Sequence, residues 1–171
     1  RLAGQSCISV QNVCVHRDIY DEFVQRVVHH VDRLRVGDPL DEATDVGSVI
    51  SAKSAMRIQS LVDAAVAEGA RLLRGGTHVG AVVQPTVLAD VPAHCEAVRG
   101  EVFGPVIALM PYDDLQSAFD LVNAGPYGLQ AGIYTSSLPL AMQALRTLRM
   151  GAVIVNGTST WRSDQAPYGG V

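Results

Sequence analysis

Cys7 ends the segment Gly4-Gln5-Ser6-Cys7, and a cysteine that follows a glycine-containing turn can be held open to solvent. If a short helix began there, its N-terminal amides would favour the thiolate and pull the thiol below its free value of about 8.5. Such a sulfur is a nucleophile. The same residue can equally be a buried, inert thiol, because unpaired cysteine is among the most buried residue types. A second segment, Glu101-Val102-Phe103-Gly104-Pro105-Val106, puts a carboxylate and an aromatic ring just ahead of an apolar run. Ligands of parallel sheets gather beyond the carboxyl ends of strands. Glu101 precedes its strand, so this turn can also be one that merely launches it. The residues alone leave both pairs of readings open.

Other chemistries are easier to exclude. No two glycines are separated by a single residue, which removes G-x-G-x-x-G, and no Walker A pattern occurs. A chain of this kind either binds no nucleotide or borrows the binding surface from elsewhere. The cysteines, Cys7, Cys14 and Cys95, are odd in number and widely spaced, which speaks against a disulfide scaffold and for a reducing compartment, the cytoplasm. The histidines form no HxxxH or HExxH, no CxxC occurs, and the adjacent His29 and His30 would point to different sides of a helix, so no metal site is expected. Basic residues number 13 and acidic ones 17, a net charge of −4, which does not suit a phosphate-backbone binder. No apolar run nears the roughly 18 residues of a membrane span, and no basic-then-apolar signal segment opens the chain. With 48% hydrophobic and 18% charged residues over 171 positions, the composition suits one folded domain. Arg1 starts without a lead-in and Val171 stops in mid-loop, which predicts a truncated chain.

These candidates must be held by regular elements. Gln11 to Val15 reads as a strand. A helix should follow from an Asp18 cap and end near Val36-Gly37, with Phe23, Val24, Val27, Val28, Val31 and Leu34 at helical spacing. Residues 38–50 form a polar turn region. A second helix should span 51–68, closed by Gly69, with Ala55, Ile58, Val62, Ala65 and Val66 on its buried stripe. Residues 70–73 read as a strand and 82–91 as an extended segment, in which Pro85 argues against a central strand. The apolar run 105–110 suits a strand buried on both faces. Helix 113–123, strand 129–134, a helix capped by Ser137 and strand 152–155 complete the alternation, followed by a long polar loop over 156–168. Strands alternating with helices predict an α/β class with a mostly parallel open sheet flanked by helices.

Taken together, Gly4-Gln5-Ser6-Cys7, Glu101-Val102-Phe103-Gly104-Pro105 and the closing Pro167-Tyr168-Gly169-Gly170 resemble the aldehyde dehydrogenase superfamily, with its G-Q-x-C, E-x-F-G-P and P-x-G-G motifs in that order. Val36-Gly37-Asp38-Pro39-Leu40, Gln84-Pro85-Thr86-Val87-Leu88 and Tyr127-Gly128-Leu129 match as well, so the resemblance covers essentially the whole chain. It implies that 1–171 is a single, truncated catalytic domain, with the cofactor-binding domain and the subunit-pairing tail absent.

The resemblance also implies roles. Cys7 matches the nucleophile, whose thiolate attacks an aldehyde to give a thiohemiacetal and then a thioester, with the Cys7 amide helping to hold the oxyanion. Glu101 would bond the nicotinamide ribose and Phe103 would pack near the nicotinamide of NAD or NADP. The family's water-activating glutamate and oxyanion-hole asparagine have no counterpart here, so the isolated chain is expected to be inactive and not to retain the cofactor. The closing segment looks most like enzymes of small hydroxy- or anionic aldehydes, such as lactaldehyde, succinate semialdehyde or phosphonoacetaldehyde. Arg162 could pair with a substrate carboxylate or phosphonate, and Trp161 could line an apolar wall. Arg57 lies near where relatives contact the adenosine ribose, though a helix-surface arginine needs no function. A full-length relative implies a homodimer or tetramer. Two other classes compete: a cysteine hydrolase or acyltransferase, and a non-catalytic assembly domain.

Overall fold

The computed structural model describes residues 2–170. Its contacts divide the chain into two compact units. One holds the chain up to Ser6 together with Gln11–Asp113, and the other holds Cys7–Val10 with the chain from Asp114 onward. Each is described by itself.

The first unit is built on a four-stranded sheet. Its strands are β1 (Asn12–His16), β2 (Arg71–Arg74), β5 (Thr86–Ala89) and β6 (Val106–Tyr112), in the order β1-β6-β5-β2. β6 runs parallel to both β1 and β5, and only the edge strand β2 is antiparallel. The two-residue strands β3 (His78–Val79) and β4 (Val82–Val83) pair separately. All four residues of β5 are buried, as a central strand covered on both faces requires. The helix α1 (Arg17–Val31) supplies one cover. Tyr20 and Val24 pack with Val15, Val87 and Leu109 in a core that Phe23, Val27, Val28 and Val31 extend. The helix α2 (Ala52–Ala67) is capped by the Ser51 hydroxyl, which accepts from the Ser54 amide at 3.1 Å, and it buries Ala55, Ile58, Val62 and Ala65 at helical spacing, whereas Val66, expected on the same stripe, is exposed because it lies one position round the helix from Ala65. A single turn, α3 (Glu96–Arg99), packs against it.

The second unit pairs β7 (Gln130–Ile133) with β8 (Ala152–Val155) in parallel, joined through α5 (Leu138–Thr147), and carries α4 (Leu115–Asn123) ahead of them. Asp114 and Ser137 cap the two helices. The α/β class with mostly parallel pairing holds.

Four further expectations need correction. The cap of α1 is the His16 ring, which accepts from the Asp18 amide at 3.2 Å, while Asp18 itself lies in the first turn. The helix ends at Val31 rather than near Gly37: beyond the C-cap Asp32 the α-helical ladder gives way to i→i−3 bonds, from Arg33 to His30 and from Leu34 to Val31, and the Asp32 carboxylate is taken by Arg74 on β2. Pro85 does not demote the following strand. It stands one residue ahead of β5, so its missing N–H falls outside the ladder, and Thr86 donates to the Pro105 carbonyl at 2.8 Å. No helix begins at Cys7, which sits in a turn beyond the short 3-10 turn Leu2–Gly4.

The Tyr20 hydroxyl ties the core to the strand ends. It donates to the Leu109 carbonyl at 3.2 Å and accepts from the Asp90 amide at 2.8 Å. Burial pushes this phenol up to about 12. Its folded value therefore lies above its unfolded value, so the stability it carries is full below pH about 10 and is lost as the pH rises through 12. Tyr20→Phe strands a part-buried amide, and a cost of about 1–3 kcal/mol is expected from the urea midpoint at pH 7.

Candidate active site

In the first unit, the segment around Glu101 is fixed from both sides. The Gln11 side-chain amide donates to the carbonyls of Ala97 at 3.1 Å and Gly100 at 2.7 Å, while its oxygen accepts from the Val102 amide at 2.9 Å. Arg57, on α2, donates to the carbonyls of Glu101 and Val102. Both clamps engage the backbone only and leave the Glu101 carboxylate out of their hydrogen bonds. Val102 and Gly104 are buried, and Glu101 and Phe103, which alternate with them, are exposed. The ribbon thus presents a carboxylate and an aromatic ring side by side. Phe103 has φ +51°, a left-handed conformation that costs a non-glycine residue of order 1–3 kcal/mol and tends to occur at functional sites.

The turn that leads to Cys7 begins in the same unit and packs against this ribbon. Gly4 has φ +75°, and a Cβ there would overlap the Gly104 carbonyl group. The Gln5 side chain accepts from the Ile50 amide at 2.7 Å and donates to the Leu2 carbonyl at 3.0 Å. The Gly-Gln half of the first motif and the Phe-Gly-Pro half of the second are therefore neighbours, a contact that the long sequence separation hides.

In the second unit, Cys7 is exposed and its Sγ lies 2.7 Å from the Tyr168 hydroxyl. The adjoining backbone is held by Ser159, which donates to the Ile8 carbonyl at 3.1 Å. Tyr168 is the variable residue of the Pro167-Tyr168-Gly169-Gly170 loop. That loop lies against the turn before β8, where a Cβ on Gly151 would overlap the Gly169 carbonyl oxygen. The Arg162 guanidinium sits 4.6 Å from the centre of the Tyr168 ring, a cation–π contact. The bond to Cys7 chiefly raises the Tyr168 phenol above its ordinary value, burial adds to this, and Arg162 opposes it. A phenol that keeps its proton can donate to a thiolate. Among the described residues no carboxylate forms an ion pair with Arg162.

The structure thus brings Cys7 and Arg162 together through Tyr168, and Glu101 beside Phe103. Trp161 is exposed next to Arg162, its amide bonded to the Thr158 carbonyl at 3.2 Å, and its indole is not part of that chain. Arg57 is not a free surface arginine, because its guanidinium is spent on the ribbon backbone. Gln11 and Tyr168 do not stand out as site-building residues in the sequence reading, and Arg57, singled out there near an adenosine ribose, instead holds the ribbon backbone. For Tyr168 the signal lies in the closing Pro167-Tyr168-Gly169-Gly170 motif, at its variable position.

The other two thiols differ. Cys95 is buried and Cys14 half-buried, and burial pushes each up to about 11, aided for Cys95 by the Glu68 carboxylate. No described helix is long and apolar enough to cross a membrane.

A model of the aldehyde dehydrogenase family matches residues 1–171. The chain is 45% identical over 169 residues to a 3-sulfolactaldehyde dehydrogenase of Priestia megaterium, covering 99% of this chain and 35% of that protein. It is 37% identical over 169 residues to a lactaldehyde dehydrogenase of Methanococcus vannielii, covering 99% and 36%. The chain therefore spans about a third of the length of the curated relatives it matches. Among solved structures, aldehyde dehydrogenase 21 of Physcomitrella patens, in complex with the reaction product succinate, aligns with TM-score 0.96 and 42% identity over 99% of this chain and 35% of that one. Glyceraldehyde-3-phosphate dehydrogenase GapN of Methanocaldococcus jannaschii, complexed with NADP, gives 0.96 and 36% over 99% and 37%. An aldehyde dehydrogenase of Mycobacterium tuberculosis, complexed with NAD+, gives 0.91 and 34% over 99% and 36%.

Proposed function

The chain belongs to the aldehyde dehydrogenase family, and from that premise we propose that it supplies the thiol-bearing part of an enzyme that oxidises a small anionic or hydroxylated aldehyde to its acid. The observation that carries this reading is the exposed Cys7 sulfur held at 2.7 Å by the Tyr168 hydroxyl.

Cys7 attacks the aldehyde carbon as a thiolate, and a carbon–sulfur bond forms as the carbonyl electrons move to oxygen. The phenol of Tyr168 holds the sulfur in place before attack, and the Cys7 amide helps hold the oxyanion. When bound, NAD or NADP accepts the hydride that leaves this carbon, and a thioester remains on Cys7. Water then releases the acid. The residues present fit the cofactor's edge. A carboxylate accepts from two ribose hydroxyls at once, and the Glu101 carboxylate is exposed on a clamped ribbon beside an exposed aromatic ring. Glu101 would hold the ribose and Phe103 would pack near the nicotinamide.

Arg162 suits a substrate anion. It has no acidic partner among the described residues, and one phenol ring separates it from the sulfur. A carboxylate, sulfonate or phosphonate there would be met by a fork of N–H donors. This agrees with the sulfolactaldehyde and succinate in the names of the relatives. Trp161 beside it would give the pocket an apolar wall. The reading places the whole enzyme in the cytoplasm as a homodimer or tetramer.

The test grafts this chain in place of the matching segment of the Priestia megaterium relative. The graft is expected to reduce NAD(P)+ in the presence of small anionic aldehydes, and the 171-residue chain alone is expected to show no turnover. A folded graft without oxidation, or normal turnover by the chain alone, contradicts the reading.

A further inference from the structure

At the far end of α2 from Ser51, three donor groups of different chemistry meet. Glu68 is the C-cap of α2, Cys95 is the N-cap of α3, and His94 precedes it. One oxygen, one nitrogen and one sulfur from these residues all lie within 4.8 Å of one another. The His94 Nε2 is 3.3 Å from the Glu68 Oε2, and the Glu68 carboxylate faces the Cys95 thiol. The turn that carries His94 and Cys95 is fixed by the Cys95 amide, which donates to the Pro92 carbonyl at 3.1 Å. Cys95 is 1% exposed, whereas Glu68 and His94 reach solvent, so the sulfur forms the floor and the other two the rim.

This donor set is selective. Metal–ligand bonds of about 2.0–2.3 Å in a tetrahedron set neighbouring ligand atoms roughly 3.3–3.8 Å apart, the spacing seen between His94 and Glu68. A thiolate and an imidazole suit borderline-soft ions and not magnesium or calcium, which require oxygen. None of the three residues belongs to the Cys7 or Glu101 site.

We propose that Glu68, His94 and Cys95 bind one thiophilic divalent cation of the zinc class, with Cys95 as thiolate and water at the fourth position. As the metal–sulfur bond forms, the thiol proton passes to solvent, and no oxidation state changes.

The test titrates the metal-free protein with Zn2+ in competition with a chromophoric chelator, and with Co2+ to read the thiolate-to-metal charge-transfer band. One equivalent should bind, with the band present, in wild type and in Cys7→Ser, and a large excess of Mg2+ should not displace it. Losing an outer-shell partner alone costs about 10–100-fold in affinity, so His94→Ala and Glu68→Gln should each cost at least that. Cys95→Ser should abolish the band. Because Cys95 is buried and its serine variant can fail to fold, the two rim variants carry the test independently. Absence of saturable binding, wild-type affinity in His94→Ala, or a band lost with Cys7→Ser overturns the proposal.

Discussion

Cys7→Ala, introduced into the graft on the Priestia megaterium relative, is expected to lower turnover by about four to six powers of ten, the loss typical of removing a covalent nucleophile. The reasoning rests on what no neighbour can replace. A covalent route needs a sulfur at this position to form the thiohemiacetal, and Cys14 and Cys95 lie buried or half-buried elsewhere, in the first unit. Steady-state reduction of NAD(P)+ reads the loss. Circular dichroism should be unchanged, because Cys7 is exposed and its side chain bonds Tyr168, which is also exposed. A variant that keeps a tenth of wild-type turnover would remove Cys7 from the chemistry.

The second large effect is on stability. Gly4→Ala is expected to cost about 2–5 kcal/mol, combining a left-handed backbone imposed on alanine with overlap against packed neighbours. The overlap is with the Gly104 carbonyl group, which cannot swing away as the end of a side chain can. Gly104 is itself pinned, since a Cβ there would lie 2.5 Å from the Ile58 Cδ1, and Ile58 is fully buried on α2. Thermal melting of the chain measures the cost. Gly80→Ala is the control, because nothing lies within 4 Å of a Cβ there although its φ is +58°. It isolates the backbone share, and the difference between the two variants is the contact between the motifs. Equal melting temperatures for both would mean that the two segments are not packed together.

These two residues also show what the sequence could and could not convey. The apolar run of β6, the stripe of Ile58 and Val62 on α2, and the caps Ser51 and Ser137 are local signals, and the elements follow them closely. Boundaries set by a single distant partner were not legible. Arg74 lies on another element from Asp32, and no periodicity in α1 announces that the helix stops there. Pro85 does not bar β5 from the sheet centre, because a proline's effect on a ladder extends only to the bond its own nitrogen would make. At the candidate site, motif order marked Cys7 and Glu101, but the groups that hold them are remote in the chain. Tyr168 is 161 residues from Cys7, and Gln11 is 91 residues from Val102. Neither an amide side chain nor a phenol carries a spacing signature. The same holds for Glu68 and His94, whose approach depends on how α2 and α3 pack.

The central claim is that Cys7 is the open, reactive sulfur, and site-resolved alkylation tests it most directly. The folded chain is treated with limiting iodoacetamide at pH 8 in the presence of a chelator, and each cysteine is followed by peptide mass spectrometry. Thiols held at about 11, as for Cys14 and Cys95, keep only about one molecule in a thousand as thiolate at that pH. Cys7 is predicted to be modified first, by more than about tenfold, and the other two should gain about tenfold in rate per pH unit until they titrate. Modification of Cys7 no faster than Cys14 or Cys95 would contradict the account.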